Sequence, residues 1–148
     1  MGASMKYRAC VYTGNGKLEW TWKEIPLLKD HDVLVRIDTA TICSTDLHIL
    51  EGRFESKPPL VLGHEFAGYV ERVGPSVTHV AAGELVSVEP HIYCGRCKYC
   101  RIGKEHMCSD RTAFGVHADG GFAQYCVVPD RNVYRVPEGV SPTVAALA

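Results

Sequence analysis

Cys94-Gly95-Arg96-Cys97-Lys98-Tyr99-Cys100-Arg101-Ile102-Gly103-Lys104-Glu105-His106-Met107-Cys108 sets four thiols at C-x2-C-x2-C-x7-C spacing. Four thiolates complete the tetrahedron of a structural zinc. The rival ligand, an iron–sulfur cluster, favours a fourth cysteine three residues after the third, followed by proline. Here the last gap is seven residues and Ser109 follows. Gly95 permits the tight turn in which backbone N–H groups point at sulfur. The stretch reads as a closed zinc site that staples a loop lobe over about residues 91–112 and is catalytically silent. His106 lies inside the loop, but four sulfurs leave it no place in the tetrahedron.

Upstream lies a second, looser cluster: Cys43, Asp46, His48, His64 and Glu65. A catalytic zinc keeps fewer protein ligands and leaves a position for water or substrate. One cysteine and one distant histidine carry little weight by spacing, because buried cysteines and lone histidines are mostly structural. Their neighbours add to it. Cys43-Ser44-Thr45-Asp46-Leu47-His48 and Gly63-His64-Glu65 set hydroxyl, carboxylate and imidazole beside possible ligands. Those are the groups that support metal ligands and relay protons.

Around these clusters the pattern is β. Tyr7 to Tyr12 and Leu18 to Ile25 are rich in β-branched and aromatic residues, and Gly14-Asn15-Gly16 between them supplies a hairpin turn. Val33, Val35 and Ile37 alternate with Leu34, Arg36 and Asp38, a strand that ends near Thr41 and leaves Cys43 at its end. Ser44 is expected to cap a short helix through Leu50, with Asp46 and His48 on different faces, so that one of them faces a metal directly. Further strands are expected at Phe66 to Val73, Leu85 to Val88, Phe122 to Val128 and Val133 to Val136. Ser141-Pro142 starts a helix, with serine at the cap and proline in the first turn. The expected class is mainly β, a barrel or sandwich with short helices. Cys10 and Cys126 fit no motif and read as small buried apolar residues.

The totals bound the function. The 148 residues suit one domain with a real core. A net charge of −1, with no basic run, points away from nucleic acid and anionic membrane surfaces. An odd count of seven cysteines suits metal ligation in a reducing compartment better than disulfides. With no membrane-length apolar stretch and no signal-peptide pattern, the chain is expected to be cytoplasmic. Residues 1–4 precede Met5 and read as a cloning remnant, leaving 5–148 as the domain.

The order Cys43-x-Thr45-Asp46-x-His48, Gly63-His64-Glu65, then Cys94, Cys97, Cys100 and Cys108 resembles the zinc-containing medium-chain alcohol dehydrogenases from Met5 onward. The Cys-x-Thr-Asp-Leu-His form, with Gly120-Gly121-Phe122-Ala123, is most similar to their polyol and threonine dehydrogenase branches. The resemblance implies a GroES-like barrel with a zinc-stapled loop lobe. It implies Cys43 and His64 as ligands of a catalytic zinc, with Asp46 orienting His64 through its other ring nitrogen. Thr45 and His48 would carry a proton outward, and Glu65 would be the carboxylate beside the metal. Cys94, Cys97, Cys100 and Cys108 would hold the structural zinc.

The reaction it implies is hydride transfer from a small alcohol or polyol to NAD or NADP, with zinc as Lewis acid. No G-x-G-x-x-G follows a strand, so the dinucleotide fingerprint is absent from this chain. The resemblance places the third catalytic-zinc ligand beyond Ala148, and a C-terminal Rossmann domain and homo-oligomeric assembly belong to the full-length family. The isolated chain is accordingly expected to be inactive. The alternative is a stand-alone zinc-stabilised β domain used for binding or assembly.

Overall fold

The computed structural model describes residues 5–148, so the reading of residues 1–4 lies outside the described residues. In chain order the first elements are β1 (Lys6–Gly14), β2 (Lys17–Glu24), β3 (Asp32–Thr41), α1 (Ser44–Leu50), β4 (Leu60–Val61), β5 (Glu65–Val73), β6 (Leu85–Val88) and β7 (His91–Ile92). They are followed by α2 (Lys98–Arg101), β8 (Thr112–Ala113), β9 (Tyr125–Pro129), β10 (Val133–Arg135) and α3 (Pro142–Ala145). No helix among the described residues is long and apolar enough to cross a membrane.

The opening hairpin forms as expected. Asn15 at φ 52° and Gly16 at φ 72° make the left-handed turn between β1 and β2. β4 pairs with the other edge of β1, giving a three-stranded sheet ordered β2-β1-β4. The second sheet is antiparallel throughout and ordered β10-β6-β5-β3-β9.

β3 departs from simple alternation for a physical reason. Val33 and Val35 enter the main core, but Leu34 is equally buried, packed with Tyr7, Ala9 and Val61 of the first sheet. The strand is covered on both faces where the sheets overlap. The stretch expected as one strand from Phe122 to Val128 divides likewise. Its first residues bridge the sheets: the Phe122 carbonyl accepts from the Cys10 N–H at 2.8 Å, and the Gln124 carbonyl from the Ile37 N–H at 2.9 Å. Only from Tyr125 does it run beside β3. That bridge curls the two sheets into a half-barrel, the mainly β architecture expected.

Phe66 fills the centre of the wall, 1% exposed, and meets Phe114 edge-on with ring centroids 6.3 Å apart. Truncating it to alanine would cost about 3–5 kcal/mol. The short β7–β8 ribbon sets Ile92 opposite Thr112 and so closes the base of the cysteine loop. Neither that ribbon nor α2 was expected, being too short to leave a periodic pattern. α3 starts as read: Ser141 Oγ accepts the Val144 N–H at 3.3 Å, and Ala145 and Ala146 pack on Ala67.

Candidate metal centres

In the cysteine lobe, backbone N–H groups aim at sulfur. Cys94 N–H donates to Cys108 Sγ at 3.4 Å, Cys97 N–H to Cys94 Sγ at 3.4 Å, and Cys100 N–H to Cys97 Sγ at 3.5 Å. The last of these opens α2, with Cys97 at its cap. Sulfur–sulfur separations are 3.9 Å for Cys94–Cys100 and 3.6 Å for Cys97–Cys100. A zinc tetrahedron with bonds of ~2.3 Å has edges of ~3.8 Å. The four sulfurs lie within 4.8 Å of one another, so the donor set fits zinc in both kind and spacing. All seven cysteines are free thiols.

Those N–H groups also bias the thiols. The Cys100 N–H on its sulfur takes Cys97 down to about 6. N–H groups of Arg96 and Cys97 lower Cys94. Desolvation, with Cys97 alongside, pushes Cys100 up to about 12. The cluster is partly ionised before metal arrives, and metal must displace the remaining protons.

The second cluster forms where two chain crossings meet. Cys43 leaves β3, and His64 and Glu65 enter β5, its sheet neighbour. One donor atom from each of Cys43, His64 and Glu65 lies within 4.8 Å of the other two. A sulfur, an imidazole nitrogen and a carboxylate oxygen suit zinc at an open site. Thr45, His64 and Glu65 line a cavity of about 560 Å3.

Asp46 holds this corner together in a way the sequence did not reveal. It is 2% exposed; its Oδ2 accepts the Cys43 N–H at 2.9 Å and its Oδ1 the Gly63 N–H at 3.2 Å. One buried carboxylate thus ties the Cys43 loop to the residue before His64. Its distance to His64 Nδ1 is 3.7 Å, longer than a hydrogen bond. The direct partners of Asp46 are backbone amides, and its effect on the imidazole is electrostatic. The first of those bonds is the reciprocal half of a helix cap. It makes Cys43 the cap of α1, where Ser44 had been expected, and leaves Ser44 as the first helical residue.

A glycine nest fixes the other side. Gly120, Gly121 and Phe122 donate N–H bonds of 2.8, 2.7 and 3.0 Å to the carbonyls of Val61, Gly63 and Leu62. A Cβ on Gly120 would lie 2.0 Å from the Gly63 oxygen. The Gly-Gly-Phe-Ala motif therefore has a mechanical role, pressing the backbone that carries His64 into position. Glu65 has a partner that pattern could not show: Thr41 Oγ1, opposite it across the β3–β5 ladder, donates to Oε2 at 2.5 Å.

The asymmetry of α1 is as expected, with Asp46 buried and His48 half-exposed. Thr45 Oγ1 lies 3.8 Å from Cys43 Sγ at the cavity wall. His48 is not part of that wall and sits with Nδ1 3.8 Å from Glu51. Asp46, then the Cys43 thiol, raise His64 to about 9 although burial opposes it. The backbone N–H of Thr45 leads the lowering of Cys43. Both shifts run in the same sense, the thiol toward easier ionisation and the imidazole toward holding its proton.

Against known proteins, the model of the alcohol dehydrogenase GroES-like domain matches residues 29–138. The L-threonine 3-dehydrogenase of Pyrococcus abyssi is 44% identical over 128 residues, 84% of this chain and 37% of that protein. Among solved structures, the short chain alcohol dehydrogenase RspB of E. coli CFT073, complexed with NADH, superposes with a TM-score of 0.90 at 38% identity, covering 98% of this chain and 42% of its own. The cobalt and zinc bound alcohol dehydrogenase of Pyrobaculum aerophilum gives 0.85 at 33% identity, covering 96% and 44%. The chain therefore spans well under half the length of these relatives.

Proposed function

The chain belongs to the alcohol dehydrogenase GroES-like domain family, and on that premise we propose that it is the zinc-binding catalytic domain, residues 5–148, of an NAD(P)-dependent alcohol or polyol dehydrogenase. The observation that carries this reading is the clustering of Cys43, His64 and Glu65 donors, with His64 and Glu65 lining a cavity, in a chain whose separate lobe of four thiols is complete without them.

In this reading Cys43 and His64 would hold the catalytic zinc, and Cys94, Cys97, Cys100 and Cys108 the structural one. When bound, the catalytic zinc supplies Lewis acidity that lowers the pKa of an alcohol hydroxyl. The chain's own residues do the rest. Asp46 fixes the two ligand-bearing loops, and its charge favours proton density on the His64 ring. Glu65 stays tethered by Thr41 at the metal's margin. Thr45 lines the cavity beside Cys43 and would take the hydroxyl proton. His48, half-exposed one turn along α1, is the outer station toward solvent.

The nicotinamide is assigned to a Rossmann domain in the part of the longer relatives that this chain does not match. In the whole protein the partners are a small alcohol or polyol and further copies of the chain, in the cytoplasm. Assaying the whole protein with an alcohol panel and NAD+ or NADP+, before and after zinc chelation, tests the reading. Turnover that is lost with the zinc and in His64→Ala supports it. Turnover indifferent to both would defeat it.

A further inference from the structure

The same cavity bears on the rest of the substrate molecule, an inference that rests on the alcohol-oxidising reading above. Along the β7–β8 ribbon, His91 lies directly opposite Ala113. Arg111 stands two residues before Ala113, immediately ahead of β8. All three line the cavity that holds Thr45, His64 and Glu65.

The acidic groups around that cavity are already engaged. Glu89 Oε1 accepts the His91 N–H at 3.0 Å and lies 2.7 Å from its Nδ1. Glu65 takes the Thr41 hydroxyl. Asp110, the chain neighbour of Arg111, faces Arg96 at 3.9 Å. Arg111 makes one bond, 3.4 Å from Nη1 to the His106 carbonyl, and no ion pair among the described residues. The remainder of its guanidinium fork is free. His117, on the same wall, accepts the Ala113 N–H at Nδ1, 3.2 Å away, so its neutral ring carries the proton on Nε2.

We propose that Arg111, assisted by His117, binds an anionic group, carboxylate or phosphate, on the substrate, so that the cleft takes an acidic polyol in preference to a neutral alcohol. A guanidinium fork matches both anions bidentately, a geometry that lysine's single ammonium cannot reproduce. The cavity volume of about 560 Å3 falls in the range of small-molecule sites. Arg111 is exposed at its rim, so the contact weakens with ionic strength.

The experiment compares sorbitol, gluconate and sorbitol 6-phosphate, one six-carbon chain with a neutral, carboxylate or phosphate end. The whole protein and its Arg111→Gln and Arg111→Lys variants are read by kcat/KM and by ligand-observed NMR. The expected result is a preference for one or both anions on the order of ten-fold, carried by KM. Gln should erase it, Lys should restore it in part, and raised salt should diminish it. Which anion is preferred identifies the source of the charge. Equal use of all three compounds, or a Gln variant that weakens all three alike, overturns the proposal. If none is oxidised, the alcohol panel above judges the dehydrogenase reading separately, and the NMR arm decides this one: Arg111-dependent anion binding upholds the site, and its absence removes it.

Discussion

Asp46→Asn isolates what holds the open site. The buried carboxylate accepts two backbone N–H groups, a half-buried one from Cys43 at 2.9 Å and a buried one from Gly63 at 3.2 Å. Asparagine has nearly the same shape but one acceptor. Its amide NH2 must meet the second N–H donor to donor, leaving one buried N–H without a partner. A hydrogen bond to a charged group contributes about 1.5–3 kcal/mol, and an orphaned buried donor costs about 1–3. With one of the two bonds already long, the expected loss is about 2–4 kcal/mol. Urea unfolding of the zinc-loaded chain, at fixed zinc, reads it as a lowered midpoint with unchanged slope. Zinc content should fall at the open site and persist at the four thiols. The competing account, in which Asp46 acts mainly through the His64 ring, predicts that His64→Ala removes most of the effect of Asp46→Asn in a double-mutant cycle. A loss under about 0.5 kcal/mol, or such strong coupling to His64, would refute the backbone-anchor reasoning.

Cys97→Ser should release one zinc per chain and destabilise the lobe by several kcal/mol, whereas His64→Ala should cost less stability; elemental analysis with thermal unfolding distinguishes them, and equal behaviour would erase the division between the sites. Gly120→Ala would put a Cβ 2.0 Å from the Gly63 oxygen, so a loss of about 1–3 kcal/mol or more is expected, together with lower zinc occupancy at the open site than at the lobe. Burial takes Tyr7 up to about 12 from an ordinary value near 10. A raised folded value means stability complete below about pH 10 and lost as pH rises through about 12; Tyr7→Phe should move the alkaline unfolding midpoint upward, by circular dichroism. In the metal-free chain, His64 raised to about 9 contributes stability below pH 6.5 that is lost as pH rises through about 9, while zinc, which needs the neutral ring, should bind the open site more tightly over that interval in a competition titration.

What the sequence revealed and what it hid follow from the range of the interactions. The cysteine lobe was legible because its four ligands and their N–H donors lie within one loop, where spacing is geometry. The hairpin was legible because Asn15 and Gly16 carry its turn conformation themselves. The open site was different. Its residue types were visible, but the bond that organises it runs from α1 to the loop before β5, and Thr41 meets Glu65 only through the β3–β5 register. The burial of Leu34 on the opposite face from Val33 and Val35 was hidden because alternation reports one sheet and cannot announce a second sheet packed on its other face.

The same distinction explains why the two metal centres should respond differently to strain. The sulfur contacts of the lobe are made by local turns, and its base joins the barrel through the β7–β8 ladder and the Arg131 and Asn132 side chains, which donate to the Tyr93 and His91 carbonyls, so a shift of β3 against β5 reaches it weakly. The open triad draws Cys43 from one strand end and His64 and Glu65 from another, with Asp46 and the Gly120-Gly121 backbone keeping them together. Any shift of β3 against β5 changes the Cys43–His64 distance directly and leaves every sulfur–sulfur distance in the lobe unchanged. Destabilising Phe66, at the centre of that wall, should therefore empty the open site of zinc at urea concentrations where the four-thiol site is still full. Simultaneous release of both metals would show that the lobe has no independent stability and that its local bonds count for less than the barrel beneath it.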